Sequence, residues 1–233
     1  MREIVFDTET TGLRAESGDR VIELGAVELE NRFPTGRSFH VYINPDGKKV
    51  DPGAFDVHGI SDEFLADKPK FAEIVQDFMD FVSDANLVAH NAGFDMGFIN
   101  AEFARLGYEP FPWDRVIDTL ALARKRHPMG PNSLDALCSR YAIDNSRRDK
   151  HGALLDSELL AEVYIEMNGG RQASLLLDAD AAVETKSVST EQVSGERRLR
   201  PAPLPSRLTQ DDIERHRAFV DKLGDGAIWN RYG

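Results

Sequence analysis

Apolar positions in the first 45 residues gather into three short runs. Residues 3–6, 21–29 and 39–43 are rich in apolar side chains, and polar, turn-forming segments at 12–19 and 31–37 separate them. Because these links are short, the three runs are predicted to pair as an antiparallel meander of strands.

After residue 60, apolar residues recur at the spacing of a helix. Ser61 resembles a helix start, and an amphipathic helix is predicted after it from apolar positions three and four residues apart. These are Phe71, Ile74, Val75, Phe78, Met79 and Val82. Residues 86–89 predict a further strand, and 90–93 predict a polar turn. A second helical stripe comes next, formed by Phe94, Phe98, Ile99, Phe103 and Leu106.

The remaining elements alternate in type. A strand near 116–118 leads into a helix through Ala123, Asn132-Ser133 is predicted to cap the helix 134–141, and a last strong helix covers 154–167. A strand meander followed by alternating strands and helices predicts an α/β fold, with a mixed sheet covered on its faces by helices.

Composition changes after Gly170, which predicts three regions. Residues 1–170 form the first domain, and the polar and then Arg- and Pro-rich stretch 171–207 is expected to be a flexible linker. Residues 208–233 form a C-terminal segment whose helix is predicted to begin at Thr209. Docking to a partner and folding back on the first domain both remain open for this segment.

Charge and cysteine content narrow the class of protein. The 233 residues carry a formal net charge of −12, which counts against a broad basic surface for nucleic acid. Acidic side chains gathered around divalent cations would reconcile such a chain with a phosphate substrate. One cysteine, Cys138, and an N-terminus without a signal peptide or membrane span predict a cytoplasmic protein with no membrane partner.

Four carboxylates occupy positions suited to one metal site. Asp7 and Glu9 are two residues apart at the end of a strand, so that their side chains share a face. Asp95 and Asp156 each fall in the first turn of a helix, at the sheet edge where α/β proteins bind ligands. If the strands 3–6 and 86–89 are neighbours, the four oxygen donors predict Mg²⁺ or Mn²⁺, with two ions about 4 Å apart for phosphoryl displacement.

His151 lies in a loop five residues before Asp156. Imidazole titrates near neutral pH, which suits a general base that takes a proton from the attacking water. A surface histidine near the helix start is the alternative for any single histidine.

The segments 6–12 (FDTETTG), 90–95 (HNAGFD) and 151–156 (HGALLD) resemble, in order and spacing, the three motifs of the DEDDh family of 3′→5′ exonucleases. Further similarity at 57–62 and 132–138 is to the epsilon-type proofreading members that serve bacterial replicative DNA polymerases. The resemblance implies a ribonuclease-H-like fold, His151 as general base, and two metal ions, Mg²⁺ or Mn²⁺. The implied metal ligands are Asp7, Glu9, Asp95 and Asp156.

The resemblance also implies residues that bind the DNA 3′ end. They are Asp7, Glu9, Thr10, Gly12, Leu13, His58, Asn91, Phe94 and Asp156. Phe94 could instead belong to the core, and His58 could cap a loop. The family often has a longer polar side chain where this chain has Gly53.

Two protein partners are implied as well. The catalytic (alpha) subunit of the polymerase would bind the C-terminal segment 208–233. The peptide 172–177 (QASLLL) is similar to peptides that bind the sliding clamp, through Gln172, Leu175, Leu176 and Leu177, although Leu runs beside helices usually serve packing.

The expected activity is therefore hydrolysis of 3′-terminal nucleotides from single-stranded or mispaired DNA, within a replicative polymerase. Two alternatives stay open. An RNA 3′-end trimming exonuclease could use the same five residues, and a non-catalytic polymerase scaffold could keep only the fold.

Overall fold

A computed structural model describes residues 1–148, 150–170 and 209–223 of the chain. Five strands form one sheet in the order β3-β2-β1-β4-β5. They are β1 (Arg2–Thr10), β2 (Val21–Glu30), β3 (Phe33–Tyr42), β4 (Asn86–Ala89) and β5 (Val116–Asp118).

The sheet is mixed, as the sequence predicted. β1, β2 and β3 pair antiparallel, whereas β4 pairs parallel to β1 and β5 parallel to β4. The meander is thus confirmed, and β1 lies in the centre of the sheet between an antiparallel and a parallel neighbour. Burial of the run from Glu3 to Phe6 on both sides follows from that central place.

In the described residues, seven α-helices lie with the sheet in the first region, and an eighth lies in 209–223. They are α1 (Pro52–His58), α2 (Asp62–Leu65), α3 (Phe71–Val82), α4 (Gly93–Leu106), α5 (Thr119–Arg126), α6 (Leu134–Tyr141), α7 (Ala153–Met167) and α8 (Gln210–Leu223). Ser133 caps α6 by accepting a hydrogen bond from the Ala136 N–H, as predicted.

Two apolar layers form the core. On one face of β1, Ile4 and Phe6 pack with α3 and α4, which contribute Phe78 and Ile99. On the other face Val5 packs with α6 and α7. The alternation of side chains along β1 therefore joins two helical layers to one sheet, an α/β arrangement that agrees with the ribonuclease-H-like fold implied by the resemblance.

One predicted link is in fact a strand. Residues 33–37 lie in β3, where Phe33 and Pro34 pair with β2 and the register then shifts, and Asn31 and Arg32 form the turn, both with positive φ (51° and 67°). Such a two-residue turn matches the twist of a hairpin. The prediction of a link at 31–37 was wrong because β3 begins as an exposed edge strand, in which Pro34 and Gly36 look like turn residues.

The predicted helix after Ser61 is two helices. Ser61 caps the four-residue α2, and α3 starts only at Phe71, after Pro69. Proline disfavours a helical residue before it, so the chain breaks there. The sequence analysis also missed α1, although Pro52 at its first turn and Gly59 after its end are the residues typical of helix ends.

The chain separates into two compact units, 1–179 and 180–233. The predicted linker 171–207 and its peptide 172–177 lie outside the described residues. In the second unit α8 starts one residue after the predicted Thr209, whose hydroxyl donates to Asp212. No helix within the described ranges is long and apolar enough to cross a bilayer.

Candidate active site

The sheet order brings the predicted carboxylates to one place. β1 ends with Asp7 and Glu9, and β4 lies parallel beside β1, with Val5 opposite Val88. The chain leaving β4 turns directly into α4, whose first turn carries Asp95. The adjacency that the sequence analysis required is therefore present.

Asp156 reaches the same point because α7 begins very close to the sheet. Gly25 on β2 pairs with Asp7 on β1, and a Cβ built on Gly25 would lie 2.2 Å from the Leu154 backbone nitrogen. Ser157 also donates its hydroxyl to the Gly25 carbonyl at 2.9 Å. Only glycine permits this approach, which places Asp156 in the first turn of α7 next to β1.

Asp95 is fixed from the strand itself. Thr8 donates both its backbone N–H (3.1 Å) and its hydroxyl (2.7 Å) to Asp95 Oδ1. Because Thr8 lies between Asp7 and Glu9, these bonds align the carboxylate of α4 with the two carboxylates of β1. Asp95 is 3% exposed, so its position depends on few solvent contacts.

Within the described part of the chain, Asp7, Glu9 and Asp95 form no ion pair with a lysine or arginine, and the nearby Arg148 only partly offsets their charge. Burial, followed by the charges of Asp95, Glu9 and Asp156, raises the pKa of Asp7 well above its ordinary value. Burial and the neighbouring Glu23 raise the pKa of Glu9 to about 8. Burial likewise raises the pKa of Asp95 to about 7. A cluster of this kind is one that bound cations would stabilise.

Asp156 differs from the other three. Burial opposes its ionisation, yet hydrogen bonds from His151 and Arg148 hold its pKa below the ordinary value. Arg148 donates to both of its oxygens and also pairs with Asp135 at 2.7 Å. Arg148 is part of no recognised motif, and the sequence analysis missed it.

His151 lies at the mouth of the site, with about half of its side chain exposed. Its Nδ1 is 3.1 Å from Asp156 Oδ2. Glu9, His151 and Asp156 each offer one ligand atom, and these three atoms all lie within 4.8 Å of one another. This spacing could hold a metal ion. The loop is anchored on α1, where the His151 N–H donates to the Val57 carbonyl at 3.3 Å. The Lys150 ammonium donates nearby to the Asp56 carbonyl.

A cleft of about 570 Å³ opens over the carboxylates. Apart from Asp156, every predicted metal, base and substrate residue lines it; Asp156 lies just behind, against His151. The full lining is Asp7, Thr8, Glu9, Thr10, Gly12, Leu13, Asp51, Gly53, Ala54, Val57, His58, His90, Asn91, Phe94, Asp95 and His151.

For Phe94 a core role was left open, and for His58 a loop-capping role. Each residue has that role and also lines the cleft. The Phe94 ring packs 4.9 Å from the Phe98 ring at the edge of the core and also lines the cleft. His58 accepts the Ile60 N–H through Nδ1 and so caps a loop. Its Nε2 has no hydrogen-bond partner among the described residues, although the side chain is buried and lines the cleft.

The α1 wall of the cleft is what the sequence analysis did not anticipate. Asp51, Ala54 and Val57 come from α1 or its N-terminal boundary, and Gly53 leaves open space where a Cβ would meet nothing within 4 Å. The Pro52 and Gly59 boundaries could have revealed this helix. The clamp-binding residues Gln172, Leu175, Leu176 and Leu177 lie outside the described part of the chain.

Comparison with known proteins places this site in a family. Residues 4–164 match the family model described as Exonuclease (RNase_T). The chain is 47% identical over 244 residues to the DNA polymerase III subunit epsilon of Escherichia coli (strain K12), covering 98% of this chain and 97% of that protein. It is 43% identical over 226 residues to the same subunit of Rickettsia felis, covering 96% and 97%.

Solved structures agree on the fold. Exonuclease X in complex with 5′ overhanging duplex DNA aligns with a TM-score of 0.56 at 25% identity, covering 71% of this chain and 89% of that one. The nuclease domain of 3′hExo, a DEDDh family member bound to rAMP, aligns with a TM-score of 0.62 at 17% identity, covering 72% and 91%. The predicted fold class is confirmed.

Together these matches confirm the predicted function, a proofreading 3′→5′ exonuclease. The family model spans the three motifs, from β1 to α7, and the curated relatives align along nearly the full chain. This chain therefore belongs to the exonuclease family, among the epsilon subunits of DNA polymerase III.

Proposed function

We propose that this exonuclease hydrolyses the 3′-terminal phosphodiester of single-stranded or frayed DNA and releases a nucleoside 5′-monophosphate. The observation that carries the proposal is the convergence of Asp7, Glu9, Asp95 and Asp156, with His151, at one end of the cleft. Single-stranded ends reach such a cleft without the cost of unpairing, so mispaired termini would be favoured without any reading of the mismatch.

The donor set fits two Mg²⁺ or Mn²⁺ ions. All four carboxylates supply hard oxygen ligands, and the raised pKa values of Glu9 and Asp95 mark an excess of negative charge that cations would relieve. Bound divalent cations would lower the pKa of the attacking water and stabilise the leaving 3′-oxygen. The carboxylates of Asp7 and Asp156 would provide the ligands nearest the attack.

His151 would accept the proton of the attacking water. Its ring Nδ1 lies near Asp156 Oδ2 (3.1 Å) and Arg148 Nη2 (2.7 Å), and its backbone N–H donates to the Val57 carbonyl. The exposure of the ring leaves room for the proton to pass to solvent. The carboxylates are less suited to this part because they would serve as metal ligands.

The cleft lining suits a terminal nucleotide. Thr10 donates its hydroxyl to the Gly12 carbonyl at 2.6 Å, which shapes the loop that presents Leu13. Leu13 is 80% exposed and would pack against the terminal base. His58 would donate from Nε2, and Asn91 and Phe94 would line the opposite wall.

The relatives' name supports association with the polymerase. We place the contact with its catalytic (alpha) subunit in the segment 208–233, where Phe219 on α8 is 58% exposed. The peptide 172–177 would contact the sliding clamp. Truncation at Ser206 should preserve nuclease activity and abolish co-purification with the catalytic subunit, whereas deletion of 172–177 should weaken only clamp binding. Unchanged affinity of either variant for its partner would refute the corresponding contact.

The cytoplasmic location stays a prediction.

Release of a 3′-terminal label from single-stranded DNA tests the activity, with Mg²⁺ or with EDTA. We expect metal-dependent release that Asp7→Ala and His151→Ala both abolish, and faster cleavage of DNA than of a matched RNA strand. Equal or faster RNA cleavage would favour the trimming enzyme. No release by the wild-type chain at any metal concentration would leave the non-catalytic scaffold.

A further inference from the structure

A second groove adjoins the cleft on the side of β5. Its volume is about 570 Å³, and we call it the Arg124 groove. It shares His90 and Asn91 with the cleft, so the two spaces are neighbours across a single wall. The groove is lined by His90, Asn91, Leu120, Arg124, Gly130, Asn132 and Ser133. None of these seven carries a negative charge, in contrast to the carboxylate-rich cleft.

The shared wall is fixed by β5 and the start of α5. His90 Nδ1 lies 2.9 Å from the Thr119 hydroxyl, and the Asn91 N–H donates to Asp118 Oδ1 at 3.1 Å. The same Asp118 oxygen caps α5 by accepting the Leu120 N–H. Asp118, the carboxylate that supports this wall, is thus already engaged by backbone donors.

The outer wall of the groove, formed by the loop before α6, is also fixed by hydrogen bonds within the protein. Asn132 donates from Nδ2 to the carbonyls of His127 and Gly130, both at 3.1 Å, and so closes the loop before α6. Ser133 Oγ accepts the Ala136 N–H, which leaves its own hydroxyl proton to donate into the groove. The groove therefore has a shape that does not depend on a ligand.

Arg124 is the cation of this groove, and no acidic side chain of the described residues pairs with it. It is exposed, and it forms no hydrogen bond or ion pair with any residue within 1–148, 150–170 or 209–223. Other arginines of this acidic chain are engaged, such as Arg20 with Glu102 and Arg148 with Asp156. A free guanidinium in an acid-free groove next to the catalytic cleft is a local site for phosphate on a chain whose net charge is −12.

We propose that the Arg124 groove binds a backbone phosphate of the same DNA strand, on the 5′ side of the nucleotide being removed. The assignment rests on the proposed function, because it needs the 3′-terminal nucleotide in the cleft. Arg124 supplies the charge, and the Ser133 hydroxyl adds a neutral donor. This contact lets a negatively charged protein hold a DNA strand. The contact itself takes no part in the chemical step.

The test compares a long strand with a substrate that ends inside the cleft. The long substrate is a single-stranded oligothymidylate, and the short one is the p-nitrophenyl ester of thymidine 5′-monophosphate. For Arg124→Met we expect KM on the long strand to rise about fivefold or more at unchanged kcat, with no change on the ester. The slope of log(kcat/KM) against log salt should fall in magnitude by about 0.7, the value for one lost single-strand phosphate contact.

A matched control lies two residues away. Arg126 also forms no bond with the described residues, but it lines a different hollow, beside Met167 and Asn168. Arg126→Met removes the same charge from the same helix and should leave KM on both substrates unchanged. Arg124→Glu should increase the loss on the long strand. Because both arginines are exposed, all variants should melt at the wild-type temperature.

The other possible results would each contradict the assignment of the groove. Unchanged KM and salt slope for Arg124→Met, or an equal loss for Arg126→Met, would overturn the groove assignment while leaving the proposed function intact. An equal loss on the ester would also overturn it, since the effect would then arise in the cleft. A wild-type chain that cleaves neither substrate would overturn the proposed function and the groove assignment together.

Discussion

Arg148 holds both carboxylate oxygens of Asp156, from Nε to Oδ1 at 2.5 Å and from Nη2 to Oδ2 at 2.7 Å. Its Nη1 pairs with Asp135, and its side chain is only 7% exposed. While this pair persists, Arg148 occupies the oxygens that Asp156 would offer to a cation. If Asp156 is a metal ligand, as proposed above, a cation would compete there with an internal guanidinium.

The first prediction follows from that competition. Arg148→Met should tighten Mn²⁺ binding measured by titration calorimetry by roughly tenfold, because a repelling charge close to the site is removed. The metal-free variant should lose up to about 3 kcal/mol of stability, since Asp156 then remains buried without its partner. Arg147→Met is the control, because the Arg147 side chain is 74% exposed and lies 3.9 Å from Glu158. Weaker metal binding by Arg148→Met would contradict the competition.

The second prediction concerns pH. The pKa values of Glu9 (about 8), Asp95 (about 7) and Asp7 are raised in the folded protein, so the folded state binds more protons than the unfolded state between about pH 4 and pH 8. Stability then falls as pH rises through that window. In EDTA we expect the Tm to increase from pH 8 toward pH 5.

Divalent cations should reverse this dependence. Mn²⁺ needs ionised carboxylates, so its binding at pH 7 should release protons and raise the Tm most at the upper end of the window. Calorimetry in buffers of different ionisation enthalpy would count the protons. A Tm in EDTA that rises with pH would contradict the assignment of these raised pKa values.

The third prediction tests the close approach of α7 to the sheet. Gly25→Ala places a methyl group 2.2 Å from the Leu154 nitrogen and 2.3 Å from the Ala153 carbonyl carbon, so α7 must shift. We expect a loss of about 2 kcal/mol and a fall in kcat, because Asp156 moves with the helix. Gly97→Ala is the matched control. Gly97 lies on the exposed side of α4 with nothing within 4 Å, and alanine there should be neutral or stabilising by up to about 1 kcal/mol. Full activity of Gly25→Ala would refute the placement.

The fourth prediction isolates His58. Since Nδ1 accepts the Ile60 N–H, the neutral ring carries its proton on Nε2, and burial lowers the pKa of this histidine. His58→Phe keeps a ring in the wall and removes the donor. We expect KM for the p-nitrophenyl ester to rise roughly fivefold, the effect of one net hydrogen bond of about 1 kcal/mol, with little change in kcat. An unchanged KM would assign His58 to loop capping alone.

The local sequence pattern was sufficient to predict features that depend on residues close together in the chain. The spacing of Asp7 and Glu9 on a strand, and the positions of Asp95 and Asp156 in first turns of helices, follow from periodicity and capping. The meander was predictable because its links are short. The exposed start of β3 and the short α1 were not, because an edge strand with polar side chains and a seven-residue helix leave little apolar pattern.

The sequence by itself determined the α/β class, the strand meander and the candidate residues of the proposed site, because hydrophobic periodicity and the three motifs are local properties. Only the tertiary structure decided how those residues interact. Gly25 meets α7 and Thr8 meets Asp95 across long stretches of chain, and Arg148 forms a buried ion pair with Asp156. Such contacts, and the pKa shifts that burial causes, depend on which elements pack together, which no short stretch of sequence specifies.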